Sequence, residues 1–212
     1  MSQSDRNRQP FCLNCFKPLQ TGLSLYSTLF RTEDILCGVC RKSLSSVFKC
    51  VQVNDLHVFA LYTYTESVGH WMTQIKEAQD ISLAPVFTYP HVKKLHRRFK
   101  GKTWVMVPSS YEKTQQRGFH ALKEMLKPLN VEVLDLFEKD NIKQRKSTLS
   151  QRSEIYKHIR IKHKISNLGA VVLVDDVCTT GSSLKACADL LRPHTDSLEI
   201  CVLCLHSKWL LR

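Results

Sequence analysis

The run from Val171 to Ser183, Val-Val-Leu-Val-Asp-Asp-Val-Cys-Thr-Thr-Gly-Ser-Ser, constrains the fold more than any other part of this chain. Four consecutive apolar residues, Val171 to Val174, predict a strand covered on both faces, because only such a strand dispenses with polar alternation. Two adjacent carboxylates, Asp175 and Asp176, follow at its C-terminal end, the edge where open α/β sheets bind ligands. Thr179, Thr180, Gly181, Ser182 and Ser183 then form a small, hydroxyl-rich loop that leads into the apolar periodicity of Leu184 to Leu191. Backbone N–H groups at a helix start lack partners within the helix and sit at the positive end of its dipole, so such a loop suits an anion. Carboxylates for sugar hydroxyls or Mg2+, beside a loop for a phosphate, describe a site for a phosphorylated sugar. The chain has 7 glycines and contains neither G-x-x-x-x-G-K-[ST] nor G-x-G-x-x-G, which excludes the commoner nucleotide-phosphate loops.

Four of the nine cysteines make a second pattern: Cys12 and Cys15, then Cys37 and Cys40, two C-x2-C pairs separated by 21 residues. Each pair aims two sulfurs at one point, and four thiolates fill the coordination of a tetrahedral Zn2+. Pro18, Gly22 and Gly38 supply turns around them. A thioredoxin-like redox pair would stand alone, and disulfides need an oxidising compartment, whereas the polar stretch 1–10 does not read as a signal peptide. The sequence thus predicts a structural zinc ribbon over residues 1–50 and an α/β domain over residues 51–212. A third C-x2-C, Cys201 and Cys204, lies in the apolar run Leu198 to Leu205. On a strand, residues three apart point to opposite faces, so these two belong in the core. Cys50, Cys178 and Cys187 have no partner spacing.

Charge is concentrated. The chain has 31 Lys and Arg against 19 Asp and Glu, a net charge of +12. His91 to Lys102 holds six Lys/Arg and no acid, and Lys139 to Lys164 holds nine against Asp140 and Glu154. Such stretches suit polyanions, nucleic acid above all, although a solvated face or a pyrophosphate would use them equally well. Lys93, Lys94, Arg97, Arg98, Arg145 and Lys146 are the candidate nucleic-acid contacts. Neither stretch offers a recognition helix, so single-stranded DNA held through its phosphates is the expected ligand. No apolar run approaches the roughly 20 residues of a transmembrane helix, so no membrane insertion is expected.

Along the chain, Leu56 to Thr65 is β-rich, and Val68, Trp71, Met72 and Ile75 recur at helical spacing. Lys102 to Val107 reads as a strand closed by Pro108, Gln115 to Leu126 as one helix, and Val131 to Leu136 as a strand. The motif strand at 171–174, a helix over 183–191 and a strand near 198–205 complete an alternation that predicts a parallel sheet.

The Val171–Ser183 pattern resembles the signature of type I phosphoribosyltransferases, which bind phosphoribosyl pyrophosphate (PRPP). Val105-Met-Val-Pro108 followed by Gln116-Arg-Gly-Phe-His120 resembles the strand, loop and R-G-F-N segment of the ComF family, competence-associated proteins that join a zinc ribbon to a phosphoribosyltransferase-like domain. Leu61-Tyr-Thr-Tyr64 with Lys76, and Gln144, Leu149 and Arg152, resemble further parts of that family in the same order. His120 departs from its usual Asn, and Ala78-Gln79-Asp80 from its usual small-residue turn.

The resemblance implies a type I phosphoribosyltransferase-like, mostly parallel sheet flanked by helices, with a small N-terminal zinc ribbon. It implies PRPP or a related phosphosugar bound with Mg2+, Asp175 and Asp176 on the ribose hydroxyls and Thr179 to Ser183 on the 5-phosphate. Arg117 and Lys76 would also contact PRPP. It further implies a cytoplasmic role in natural transformation, handling incoming single-stranded DNA beside a helicase-like DNA-uptake partner at a membrane machine. The acceptor substrate and turnover stay open. Two other readings stand beside it. One is nucleobase salvage, although Thr179 holds the position where 6-oxopurine salvage enzymes look to carry an acid/base Asp. The other is a PRPP-sensing regulator that binds nucleic acid.

Overall fold

A computed structural model of the chain describes residues 11–19, 35–139 and 159–211. Arg145 and Lys146, with Gln144, Leu149 and Arg152, lie outside them. The chain divides into two compact units, Met1–Leu44 and Ser45–Arg212.

In the first unit, a turn at Cys12 to Cys15 and a short helix, α1 (Gly38–Ser43), carry the two cysteine pairs. The second unit opens with a hairpin of β1 (Ser46–Val53) and β2 (Leu56–Tyr64). After it come α2 (Glu66–Lys76), α3 (Val92–Arg98), β3 (Thr103–Met106), α4 (Tyr111–Arg117), α5 (Ala121–Leu126) and β4 (Val133–Leu134). A two-stranded ribbon of β5 (Phe137–Lys139) and β6 (Ile159–Ile161) precedes β7 (Ala170–Cys178), α6 (Ser182–Leu191) and β8 (Ser197–His206).

The main sheet has the order β1-β2-β8-β7-β3-β4. Only the β1–β2 pair is antiparallel; the remaining pairs are parallel. Central β7 explains the apolar run. Val171, Val172, Leu173 and Val174 are all 0% exposed, and each such side chain contributes roughly 1.5–3 kcal/mol by leaving water. Its odd residues pack with Val105, Cys187, Leu191 and Val202 in one cluster on the α6 side. α2 begins where Thr65 Oγ1 accepts a hydrogen bond from the Val68 N–H at 3.3 Å, an N-cap that satisfies one orphan donor. It buries Val68, Trp71, Met72 and Ile75, the stripe visible in the sequence.

Several boundaries differ from the sequence reading, each for a local reason. The stretch from Gln115 to Leu126 is two helices, because Gly118 adopts a left-handed φ of 75° and ends α4. β7 does not stop at Val174: its ladder with β8 continues through Asp175–Val202 to Cys178–Leu205, so both carboxylates sit within the strand. β1 runs through residue 50, and the contacts part the chain at Leu44 and Ser45.

The order of the strands positions the site. From β3 the chain proceeds through α4 and α5 to β4 on one side; from β7 it proceeds through α6 to β8 on the other. Adjacent parallel strands whose connections diverge leave a crevice at their carboxyl ends, the usual ligand position in such sheets.

Candidate functional site

In the N-terminal unit the sulfurs of Cys12, Cys15, Cys37 and Cys40 all lie within 4.8 Å of one another. Zn–S bonds of about 2.3 Å in a tetrahedron put sulfurs roughly 3.8 Å apart, so the four fit one zinc ion with no coordination position left for substrate. The first pair is shaped by Phe16 N–H donating to Cys12 O at 2.9 Å and Cys12 N–H to Lys17 O at 2.9 Å. Leu13 N–H donates to Ile35 O at 3.0 Å, joining the first pair to the chain entering the second. Cys37 is the N-cap of α1, and Cys40 sits on that helix. Asn14 Nδ2 donates to Cys40 Sγ at 3.2 Å, a supporting contact the cysteine spacing does not disclose. Burial opposes a thiolate at Cys12, yet backbone N–H groups of Cys37, Cys15 and Asn14 outweigh it and hold that thiol below its ordinary value. At Cys40 burial wins and pushes the thiol up. A cation among the four would bring all of them to thiolate.

In the larger unit, strand alternation sends Asp175 and Asp176 to opposite faces of β7. Asp175 faces the α6 layer; its Oδ1 accepts from the Asp176 N–H at 2.9 Å. Burial, and next the charge of Asp176, raise its carboxyl well above the usual carboxylate range. Asp176 faces the α2 layer and pairs with the Lys76 ammonium. One acid is therefore charge-compensated and its neighbour is not. An uncompensated carboxyl at a crevice is suited to a metal ion or sugar hydroxyls.

The loop after β7 leads directly into α6. Gly181 is the N-cap of α6 with φ 79°, and a Cβ there would meet Val53 Cγ1 at 2.9 Å. Glycine is thus required twice, by the left-handed backbone and by the close hairpin. Thr180 and Ser182 hydroxyls lie 3.1 Å apart, and Thr179 and Thr180 are exposed at the sheet edge. Ser182 and Ser183 occupy the first turn of α6, where backbone N–H groups lack helical acceptors.

Arg117 and Lys76 come together, in a manner the sequence does not reveal. Arg117 Nε donates to Lys76 O at 2.7 Å, and Arg117 Nη2 lies 3.0 Å from Glu77 Oε1. The guanidinium caps the C-terminal end of α2 and fixes the residue that reaches Asp176, so in this conformation it supports Lys76. Beside the carboxyl end of β3, a cleft of about 310 Å3 is lined by Pro108, Ser109, Thr114, His120, Asp135 and Lys162, among others. His120 Nδ1 is buried without a hydrogen-bond partner, and burial lowers the basicity of the ring.

The first basic stretch lies at the other edge of the sheet. α3 carries exposed Lys93, Lys94 and Arg97 and precedes the start of β3. Arg98 is engaged: it pairs with Glu199 at 2.8 Å and lies 4.2 Å from the Phe59 ring centroid. Lys102 also pairs with Glu199, at 3.3 Å. Phe99 and Trp104 are buried, with ring centroids 5.3 Å apart, and present no stacking face. Glu199 is level with Val172, four residues before Asp176, which separates the basic edge from the acids by about 13 Å along the strands. Cys201 and Cys204 are in the core, and Cys50 is exposed.

No family model matches the chain. Competence protein ComFC of Streptococcus pneumoniae R6 is 24% identical to it over 206 residues, covering 85% of this chain and 92% of that one. A hypoxanthine phosphoribosyltransferase structure from Staphylococcus aureus matches 56% of this chain and 61% of its own, at 19% identity and a TM-score of 0.35. A hypoxanthine-guanine phosphoribosyltransferase from Bacillus anthracis matches 56% of this chain and 66% of its own, at 15% identity and a TM-score of 0.36. The chain spans less than two thirds of either enzyme structure, and the fold stands on the strand order given above.

Proposed function

From its ComFC-like sequence, extending over most of both chains, we propose that this protein acts in competence, binding PRPP with Mg2+ and handling incoming single-stranded DNA. The observation that carries the phosphosugar part is the placement of Asp175, Asp176 and the Thr179–Ser183 loop. All lie at the carboxyl end of β7, beside the strand from which the chain turns the other way. Asp175 and Asp176 would hold Mg2+ and the ribose hydroxyls, and the loop the 5-phosphate. Mg2+, when bound, would neutralise pyrophosphate charge; Lys76, fixed by Arg117, would add a cation from the α2 side. Among the described residues no helix is long and apolar enough to cross a membrane. Calorimetry tests the reading: saturable binding of one PRPP per chain in Mg2+ supports it, and absence of heat at millimolar ligand rejects it.

DNA would bind at the amino edge through Lys93, Lys94 and Arg97, with Arg145 and Lys146 of the second basic stretch as further candidates. Contact with phosphates alone predicts a log–log salt slope of about −0.7 per neutralised phosphate. Substituting Lys93 and Arg97 by Gln is expected to flatten that slope by roughly one or two such contacts and leave PRPP binding intact. Arg98→Gln should instead lower the melting temperature, because it abandons Glu199 and the Phe59 ring. Binding that is absent at low salt, or unchanged from low to high salt, returns these residues to a solvated surface.

One observation favours a catalytic variant of the same reading, nucleobase salvage. The cleft beside β3 is lined by His120, whose Nδ1 is buried without a hydrogen-bond partner and whose basicity burial lowers, a group suited to take the proton of an incoming nucleobase. Pyrophosphate release from PRPP across a panel of free nucleobases separates turnover from binding.

A further inference from the structure

We infer that Asn54 and Trp209 are positioning residues of the phosphosugar site, holding the Thr179–Ser183 loop in its anion-accepting shape from outside the loop. The inference rests on the PRPP reading above. Trp209 Nε1 donates to Thr179 O at 2.9 Å, and Asn54 Nδ2 donates to Thr180 O at 3.0 Å. These are carbonyls of two successive peptide units. Because a peptide unit is planar and trans, its N–H points away from its C=O. Fixing the two oxygens therefore fixes the planes of Thr179–Thr180 and Thr180–Gly181, and with them the approach into α6. A loop of five small residues has little side-chain packing to define it, so it needs such external ties to stay ordered before ligand arrives.

The consequence is electrostatic as well as geometric. Carbonyl oxygens carry the negative end of the peptide dipole, and one turned toward a phosphate would repel it. Asn54 of the hairpin and Trp209, just beyond β8, occupy both oxygens, so the loop meets an anion with amides and hydroxyls. The hairpin is itself anchored: Asp55 pairs with Lys185 on α6 at 2.9 Å, and Val53 closes against Gly181. Asn54 adopts φ 53° at the hairpin tip, a left-handed position at which asparagine is tolerated and its short amide can turn to a neighbouring carbonyl.

The test uses Asn54→Gly, which keeps the left-handed backbone without strain and removes the amide, and Trp209→Phe, which keeps an aromatic ring and removes the N–H. Wild type and both variants are titrated with PRPP, ribose 5-phosphate and inorganic pyrophosphate in Mg2+, and their melting temperatures are recorded. Loss of one such hydrogen bond predicts Kd values for PRPP and ribose 5-phosphate raised about tenfold in each variant. Pyrophosphate binding and the melting temperature of Asn54→Gly should stay at wild-type values. Unchanged ribose 5-phosphate binding in both variants overturns the inference, as does equal weakening of pyrophosphate, which marks a general structural defect. Failure of the wild type to bind PRPP overturns the underlying site reading and this inference with it. If Trp209→Phe unfolds, Asn54→Gly carries the test alone.

Discussion

Cys37→Ser is expected to strip the protein of zinc and unfold residues 1–44 while the larger unit keeps its melting transition. The buried residues described in the small unit are few: Cys12, Leu19, Leu36, Cys40 and Leu44. Among the described residues those side chains bury little apolar area, and a unit as small as this one commonly needs a metal or other staple to fold alone. A structural zinc site supplies roughly 10–16 kcal/mol of apparent binding free energy at neutral pH, far more than those side chains contribute. One serine leaves three thiolates and removes most of that stabilisation. The larger unit has its own core around β7 and β8 and should survive. Metal analysis of protein purified without chelator should give one zinc per wild-type chain and well under half of that in Cys37→Ser. Limited proteolysis should then cut the variant within its first 44 residues. Wild-type protein free of zinc, or a Cys37→Ser variant retaining a full equivalent, would reject the metal centre.

The parts of the molecule legible in the sequence are those whose physics is local. Val171 to Val174 announce a doubly covered strand because burial on both faces requires a continuous apolar run. The four clustered cysteines announce themselves because a chelating turn fixes the spacing of its sulfurs. Gly181 is visible as a loop glycine, although the reason it cannot be alanine, Val53 at its back, is a contact across the chain. What depends on distant pairing stays hidden. The run of valines ends at Val174, but the ladder with β8 carries the strand to Cys178 and turns the two acids to opposite faces. Arg117 reads as a free cation until its carbonyl partner at Lys76 is seen, and Arg98 until Glu199 and Phe59 are seen beside it. Asn54 and Trp209 carry no motif, since donating to a loop carbonyl demands only an N–H arriving at the right point. The hairpin that brings Asn54 there begins with β1, a strand whose mixed burial and whose Phe48 at φ 45° blur the alternation that would reveal it.

The substitutions Asp175→Asn and Asp176→Asn should together abolish PRPP–Mg2+ binding, with a loss of at least about 100-fold, yet they should differ in their effect on stability. Asp175 is raised from 3.8 to about 8, by burial first and by the Asp176 charge second. The folded state therefore keeps a proton that the unfolded chain has released between those two values. Wherever the folded state binds more protons, stability falls as pH rises, so Asp175 weakens the fold increasingly from about pH 4 to pH 8. Asn at this position has no such titration. Asp175→Asn should raise the melting temperature by a few degrees at pH 8, about 2–4 °C for each kcal/mol in a chain of this size, and by little at pH 4.5. Asp176→Asn removes the partner of Lys76 and leaves an ammonium unpaired in a partly buried place. Its melting temperature should be unchanged or lower, without the same growth toward alkaline pH. The contrast follows from burial: Asp175 holds a proton that it must lose to ionise, whereas Asp176 is compensated by Lys76. Scanning calorimetry at pH 4.5, 6 and 8, with PRPP titrations of each variant, reads both effects. Wild-type PRPP affinity in the double variant would move the site elsewhere, and a stability difference for Asp175→Asn that is flat with pH would show that this carboxyl is already ionised in the free protein.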